Sequence, residues 1–227
     1  MPLVRAIACE VIVWAQPALI PLLRTATGID QLLPLHDGVP EVEYDVDVEV
    51  MELAYVFRST LQTIPAAVPY LLADPAALCE TGTPRIGLAW RAGAWDARRS
   101  IPFELFTSMF EMPGISCCSL QHEPLAHERH ERLHQLNTSG LLQTAQSMRA
   151  LDLIITIDGM SAHLAGALGV PVWTLLSNDP DWRWMEDRSD SPWYPSMRLF
   201  RQRRAGSWKP VVDEVIGAVE TEFRDRR

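Results

Sequence analysis

The chain is short of cations. Twenty Lys and Arg stand against 29 Asp and Glu in 227 residues, a net charge of −9. A nucleic-acid surface is normally basic, so nucleic acid is not an expected partner. A nucleotide remains open, because its site needs only a few local cations and backbone amides. No apolar run reaches the roughly 18 residues of a membrane span. The opening MPLVRAIACEVIVWAQP is interrupted by Glu10, which argues against a signal peptide. Only four cysteines occur, Cys9, Cys79, Cys117 and Cys118, none at metal-ligand spacing. Cys117 and Cys118 lie in an apolar run, so buried reduced thiols in a cytoplasmic protein are expected. There is no Walker loop, no Gly-x-Ser-x-Gly and no Gly-x-Gly-x-x-Gly after a strand. The last absence removes the usual NAD-binding fingerprint.

What is present reads as ordinary globular material, 48% hydrophobic and 22% charged. The length suits one large domain or two small ones. The first part is irregular. A helix end runs into a strand at Val11 to Trp14, and Pro17 to Thr25 reads as a short helix with proline near its start. Gln31 to Leu35 reads as a short strand. Glu41 to Glu52 alternates through Val42, Tyr44, Val46, Val48 and Val50, which predicts a half-exposed strand with a solvated acidic face. Phe57 to Ile64 suggests a helical turn, Thr63 to Asp74 is proline-rich, and Pro75 to Thr83 reads as a connector. A domain boundary is therefore expected near residues 74 to 84, separating residues 1–80 from 84–227.

The second part alternates strands with helices, which predicts an α/β domain with a mainly parallel sheet. Strands are expected at Arg85 to Trp90, Ile115 to Leu120, Leu153 to Ile157, Val170 to Leu176 and Met197 to Arg201. Helices are expected after Ser100 (apolar at Phe103, Phe106 and Phe110), over His122 to Leu136, over Ser139 to Ala150, over Ser161 to Leu168 and over Lys209 to Phe223. His127, His130 and His134 have helical spacing, but their charged neighbours make a solvated face, and no metal site is expected.

Three stretches carry candidate chemistry. The turn Asp158-Gly159-Met160-Ser161-Ala162-His163 joins a strand end to a helix start, where free N–H groups favour an anion such as phosphate. From spacing alone, a capping Asp158 and a packed His163 explain it equally well. A second strand-end loop, Trp90-Arg91-Ala92-Gly93-Ala94-Trp95, is followed by Arg98 and Arg99, permanent cations able to pair with phosphate oxygens. Third, Ser177 to Ser196 is a long loop. Five of the chain's eight tryptophans fall after position 172, and Trp182, Trp184 and Trp193 lie in this loop. It reads as a lid, a stacking wall for a base or sugar, or a proline-stiffened packed loop.

The run RIGLAWRAG, then RRSIPFELF, CCSLQ, ALDLIITIDGMSAHLAGALGVPVWTLL and DWRWMEDRSDSPWYPSMRLFRQ closely resembles bacterial glycosyltransferases of family nine, related to the heptosyltransferases and often fused behind tetratricopeptide repeats. The resemblance covers roughly residues 10 to 220 and is strongest from 84 to 202. It implies a GT-B fold, with two Rossmann-like domains of mainly parallel sheet facing each other across a cleft. The carboxyl-terminal domain would bind a nucleotide-sugar donor as substrate, with no separate cofactor. The amino-terminal domain would face a hydroxyl acceptor, whether a glycan, a lipid-linked sugar or a protein.

Residue by residue, Asp158 and His163 match the family's Asp-Thr-x-x-x-His diphosphate turn, with Gly159 where Thr is usual. Arg99 matches a basic phosphate partner, and Gln121 matches a strand-end position facing the cleft. Arg91-Ala92-Gly93 departs from the family's Ser/Ala-Gly-Asn. The donor-binding set implied is Arg91, Gly93, Arg99, Gln121, Asp158, Gly159, Met160, Ser161 and His163. The family normally opens with a strand and a Gly-Asp turn that this chain does not show, so the first domain is expected to be incomplete and no catalytic base is assigned. Asp45 and Asp47 are the acidic alternatives. Two functions follow: a metal-independent glycosyltransferase, or an inactive nucleotide-sugar-binding or scaffold module whose incomplete first domain favours a homo-oligomer.

Overall fold

The computed structural model describes residues 1–78, 82–93 and 96–224. Cys79, Ala94 and Trp95 lie outside the described residues.

The amino-terminal part is a small parallel unit. Helix α1 (Pro2–Arg5) leads to strand β1 (Ile12–Ala15). A 3-10 turn begins at Pro17, where a missing N–H costs nothing, and runs into helix α2 (Ile20–Leu23). Strand β2 (Gln31–Pro34) then returns parallel to β1, with Ile12 opposite Gln31. The Asp30 carboxylate fixes this register by accepting from the Val11 N–H at 2.8 Å.

The strand expected over Glu41 to Glu52 does not form. Those residues are irregular up to a 3-10 turn at Val50–Glu52, followed by helix α3 (Leu53–Val56). Val46, Val50 and Tyr44 are exposed. An alternating pattern makes a strand only where a neighbour completes the hydrogen-bond ladder, and none lies beside this segment. Residues 68–78 then run as a strap across the larger sheet's helices. The Tyr70 and Leu71 N–H groups donate to the Ala167 carbonyl at 3.0 and 3.3 Å, and the Ala76 N–H to Gln146 at 2.9 Å.

The larger unit is built from β3 (Arg85–Ala89), α4 (Thr107–Phe110), β4 (Ser116–Ser119), β5 (Leu133–Gln135), α5 (Leu141–Arg149), β6 (Leu153–Ile157), α6 (Met160–Ala167), β7 (Val172–Leu176), β8 (Met197–Arg201) and α7 (Lys209–Glu222). Its six strands lie in the order β5-β4-β3-β6-β7-β8, all parallel. Every residue of β6 and β7 is buried, as a sheet covered on both faces requires. The pleat divides the side chains between two cores. Leu153, Ile155 and Ile157 face the core made with Phe103, Phe106, Phe110 and α7, whereas Ile154 faces the core made with α5 and α6. The amino-terminal Leu22 is buried in the second core, and Val68, Leu71, Ala73 and Leu78 of the strap pack against it. Both sheets are parallel, so the architecture is α/β, with one six-stranded Rossmann-type sheet and one two-stranded unit. The chain steps outward from β3 to β4 and β5, then returns to the other side of β3 with β6. That reversal opens a crevice at the carboxyl ends of β3 and β6. No helix among the described residues is long and apolar enough to cross a membrane.

Two further local expectations are corrected. His122 to Leu136 is not helical: residues 122–132 form turns and Leu133–Gln135 is the edge strand. Pro124 interrupts a helical ladder, and Glu128 turns inward to accept buried donors rather than outward to water. Ser100 does not cap a helix: its hydroxyl accepts from the Ala92 N–H at 3.0 Å, and a 3-10 segment at Phe103–Phe106 precedes α4. Of the cysteines, Cys117 and Cys118 are buried thiols, and burial pushes them up to about 12 and about 11, whereas Cys9 is exposed.

One glycine is held by packing. A Cβ on Gly166 would lie 2.4 Å from the Tyr194 ring, so that ring rests directly on the backbone of α6. Gly166→Ala, which normally gains up to about 1 kcal/mol in a helix, is expected here to destabilise by about 1–3 kcal/mol through overpacking. Urea denaturation of both proteins reads the sign.

Candidate functional site

Two clefts open at the sheet reversal and share one ridge. The first, about 490 Å³, is lined by Arg91, Ala92, Gly93, Arg99, Gln121, the Thr138-Ser139-Gly140 turn and Thr156 to Ser161. The second, about 480 Å³, is lined by Asp96, Arg98, Arg99, Asp158, Gly159, Met160, His163 and Asp179 to Asp181. Arg99 and Asp158-Gly159-Met160 belong to both.

The ridge is set by Arg99. Its Nη1 donates to the Asp158 carbonyl at 2.9 Å, and its Nε lies 3.6 Å from an Asp96 carboxylate oxygen. The loop after β3 is thereby tied to the turn after β6. Asp96 also accepts from the Arg98 backbone N–H at 3.3 Å and from Arg98 Nε at 2.9 Å. Arg98 is the principal cause that holds the Asp96 carboxyl below its ordinary range. Helix α6 starts at Gly159 with no side-chain cap. Its first N–H groups, at Met160 and Ser161, lack backbone acceptors by helix geometry, and both residues line the first cleft. Gly159 has an extended backbone with φ of 178°, and a Cβ there would meet nothing within 4 Å. A threonine, usual in the resembled family, would therefore fit.

Gln121, at the end of β4, secures the loop from beneath. Its Oε1 accepts from the Trp90 and Arg91 N–H groups at 3.2 and 2.8 Å, and its Nε2 donates to the Arg91 and His122 carbonyls at 3.4 and 3.3 Å. Its amide is spent on backbone, so Gln121 shapes the cleft wall. Arg91 departs from the role expected of it. Its Nε donates to Glu128 at 3.0 and 3.2 Å and its Nη2 to the Glu123 carbonyl at 2.7 Å. A buried carboxylate draws the guanidinium away from solvent, because an unpaired charge there would be costly. Glu128 also accepts from Trp90 Nε1 at 2.9 Å and from the Leu125 N–H at 2.8 Å. Burial alone would raise the Glu128 carboxyl, but Arg91, Leu125 and Trp90 overcome it and hold it below its ordinary value.

His163 lines the second cleft, half-buried. Its Nδ1 lies 3.1 Å from the Tyr194 hydroxyl, and its ring stacks on Trp184 with centroids 5.0 Å apart and planes inclined by 21°. Burial lowers its pKa from 6.5, against the opposing pull of Asp158 and Asp181 and with help from Arg183. At pH 7 the ring is neutral and offers a hydrogen bond, not a charge.

The tryptophans do not form the expected stacking wall or lid. Among the described residues, none of Trp182, Trp184 and Trp193 lines either cleft. Trp184 is fully buried beneath His163. Trp193 donates its Nε1 to the Arg183 carbonyl at 3.0 Å. Trp182 is exposed, with the Arg183 guanidinium 4.7 Å above its ring. Large rings in a proline-stiffened loop bury more apolar area against α6 than against solvent. Asp45 and Asp47 are exposed and line neither cleft.

Sequence reasoning missed Asp96, Glu128, Tyr194 and the Thr138-Ser139-Gly140 turn. The last was hidden by starting the expected helix at Ser139 rather than at Leu141. Asp96 was legible as an acid two residues before Arg98, a spacing that favours a local side-chain-to-backbone turn.

No protein-family model matches the chain. Across 190 residues it is 27% identical to Protein FlbA of Caulobacter vibrioides, an alignment covering 74% of this chain and 31% of that protein. The chain thus spans about a third of the length of this curated relative. Among solved structures it is similar to a glycosyl transferase family 9 protein from Veillonella parvula, with a TM-score of 0.46 and 17% identity over 63% of this chain and 46% of that one.

The Glu128 cluster gives a signed test. Its folded pKa lies below 4.5, so it contributes stability above that pH and loses it as pH falls through the folded value. Glu128→Gln should cost about 2 kcal/mol at pH 7. Urea denaturation across pH should show the gap to wild type narrowing below pH 4.5.

Proposed function

We propose that the protein is a glycosyltransferase-like module that binds a nucleoside-diphosphate sugar at the reversal between β3 and β6. The observation that carries this reading is the Arg99 guanidinium, held by Asp96 and the Asp158 carbonyl beside the uncapped start of α6. A fixed cation and open backbone amides at one point suit a diphosphate. The motif resemblance in the same loops supports the same substrate class, and specifically the heptosyltransferase-like branch.

In the active form of this reading, the donor's anomeric carbon is attacked by an acceptor hydroxyl and the nucleoside diphosphate departs. Charge develops on the diphosphate as its bond to the sugar breaks. Arg99 and the Met160 and Ser161 amides stabilise that charge, a role a divalent cation fills elsewhere. A base must take the hydroxyl proton. One observation favours the second reading, a binding or scaffold module without turnover. Among the described residues, Ala18 is the one amino-terminal residue lining the first cleft and none of that part lines the second. The described residues of that part thus contribute no titratable group to either cleft.

Calorimetric titration with UDP, GDP and ADP tests both readings. At least one should bind, and Arg99→Ala should weaken it about 10- to 100-fold, the range for a charged hydrogen bond. Binding with release of free sugar or transfer supports the enzyme, and binding without turnover supports the module. Failure of all three to bind overturns the donor-site reading.

A further inference from the structure

His163 has one ring nitrogen engaged. Nδ1 faces the Tyr194 hydroxyl at 3.1 Å, and no partner for Nε2 occurs among the described residues. The ring cannot swing freely. Trp184 stacks against one face, and the Tyr194 ring meets it edge-on with centroids 5.8 Å apart. Tyr194 is itself 8% exposed and seated on the bare backbone of Gly166. Burial raises the pKa of its hydroxyl, so the O–H stays protonated.

These contacts hold the ring in place at the cleft. We propose that Tyr194 is a positioning residue that fixes the tautomer of His163, so that Nε2–H is the donor presented to an anionic ligand in the second cleft. The buried Tyr194 hydroxyl has one proton to donate, and His163 Nδ1, at 3.1 Å, is the acceptor in reach among the described residues. A neutral imidazole that accepts at Nδ1 carries its proton on Nε2. The charged groups facing this ring are Asp158, Asp181 and Arg183. The ligand class rests on the proposed diphosphate site, whereas the tautomer does not.

The test has two independent arms on the full chain. In the first, ¹⁵N NMR of labelled imidazoles at pH 7.5, with His163 assigned by His163→Gln, should show the Nε2–H tautomer in wild type. Tyr194→Phe should give a mixed population. A wild-type Nδ1–H tautomer, or a tautomer unchanged in Tyr194→Phe, overturns the proposal. In the second, the tightest binder among UDP, GDP and ADP is titrated against the variants. Tyr194→Phe should weaken it about fivefold in wild type. It should have no further effect in a His163→Gln background, where the glutamine amide supplies an N–H at the Nε2 position without help from Tyr194. Equal losses in both backgrounds would make Tyr194 merely structural and overturn the positioning role. If no nucleotide binds wild type, the diphosphate reading fails while the NMR arm still decides the tautomer.

Discussion

The bond from Arg99 to the Asp158 carbonyl links two loops that the sheet topology only brings near one another. Parallel strands place the carboxyl ends of β3 and β6 side by side, but their loops belong to segments almost 60 residues apart in sequence. Without a tie, the crevice between them would have no fixed floor. With it, the cation, the uncapped helix start and both clefts acquire one geometry. Asp96 completes the arrangement by drawing Arg98 and Arg99 into the same turn. The guanidinium is thus held by a neutral acceptor, the Asp158 carbonyl, and a charged one, the Asp96 carboxylate.

A second level of support lies under that tie. Gln121 and Glu128 contribute nothing that reaches a ligand directly, yet they decide where the β3 loop runs. Gln121 satisfies four backbone groups around that loop, and Glu128 collects Arg91, Trp90 and Leu125. The two arginines of the loop, close in sequence and alike in charge, thus have different work. Arg91 balances a buried carboxylate, whereas Arg99 lies between the clefts.

Five of the six strands of the larger sheet were legible because apolar runs such as Leu153 to Ile157 have few other fates in a chain of this length, whereas the short edge strand β5 was read as helix. The turn at Asp158 to His163 was legible for the same reason, since a strand end and a helix start meet there. The partner of Arg91 was not legible, because a sequence does not reveal which cation a buried acid will claim. Glu128 lies 37 residues away, in a stretch whose heptad-like histidines suggested a helix. The acidic alternation from Glu41 misled in the opposite sense. Its period is that of a strand, but a strand is a pairwise object, and the pairing partner is not a property of the segment. The tryptophan loop was left with three readings, of which the packed one fits the buried Trp184, since the number of rings says nothing about which face of the loop is inward.

Gly159 occupies open space with an ordinary extended backbone. Its identity is therefore not demanded by the fold. Most positions near the ridge are constrained twice, by packing and by chemistry, and cannot change one without the other. This one is constrained by neither packing nor backbone conformation. It is a point where the character of the crevice can drift, or be redesigned, while the scaffold around it stays as it is.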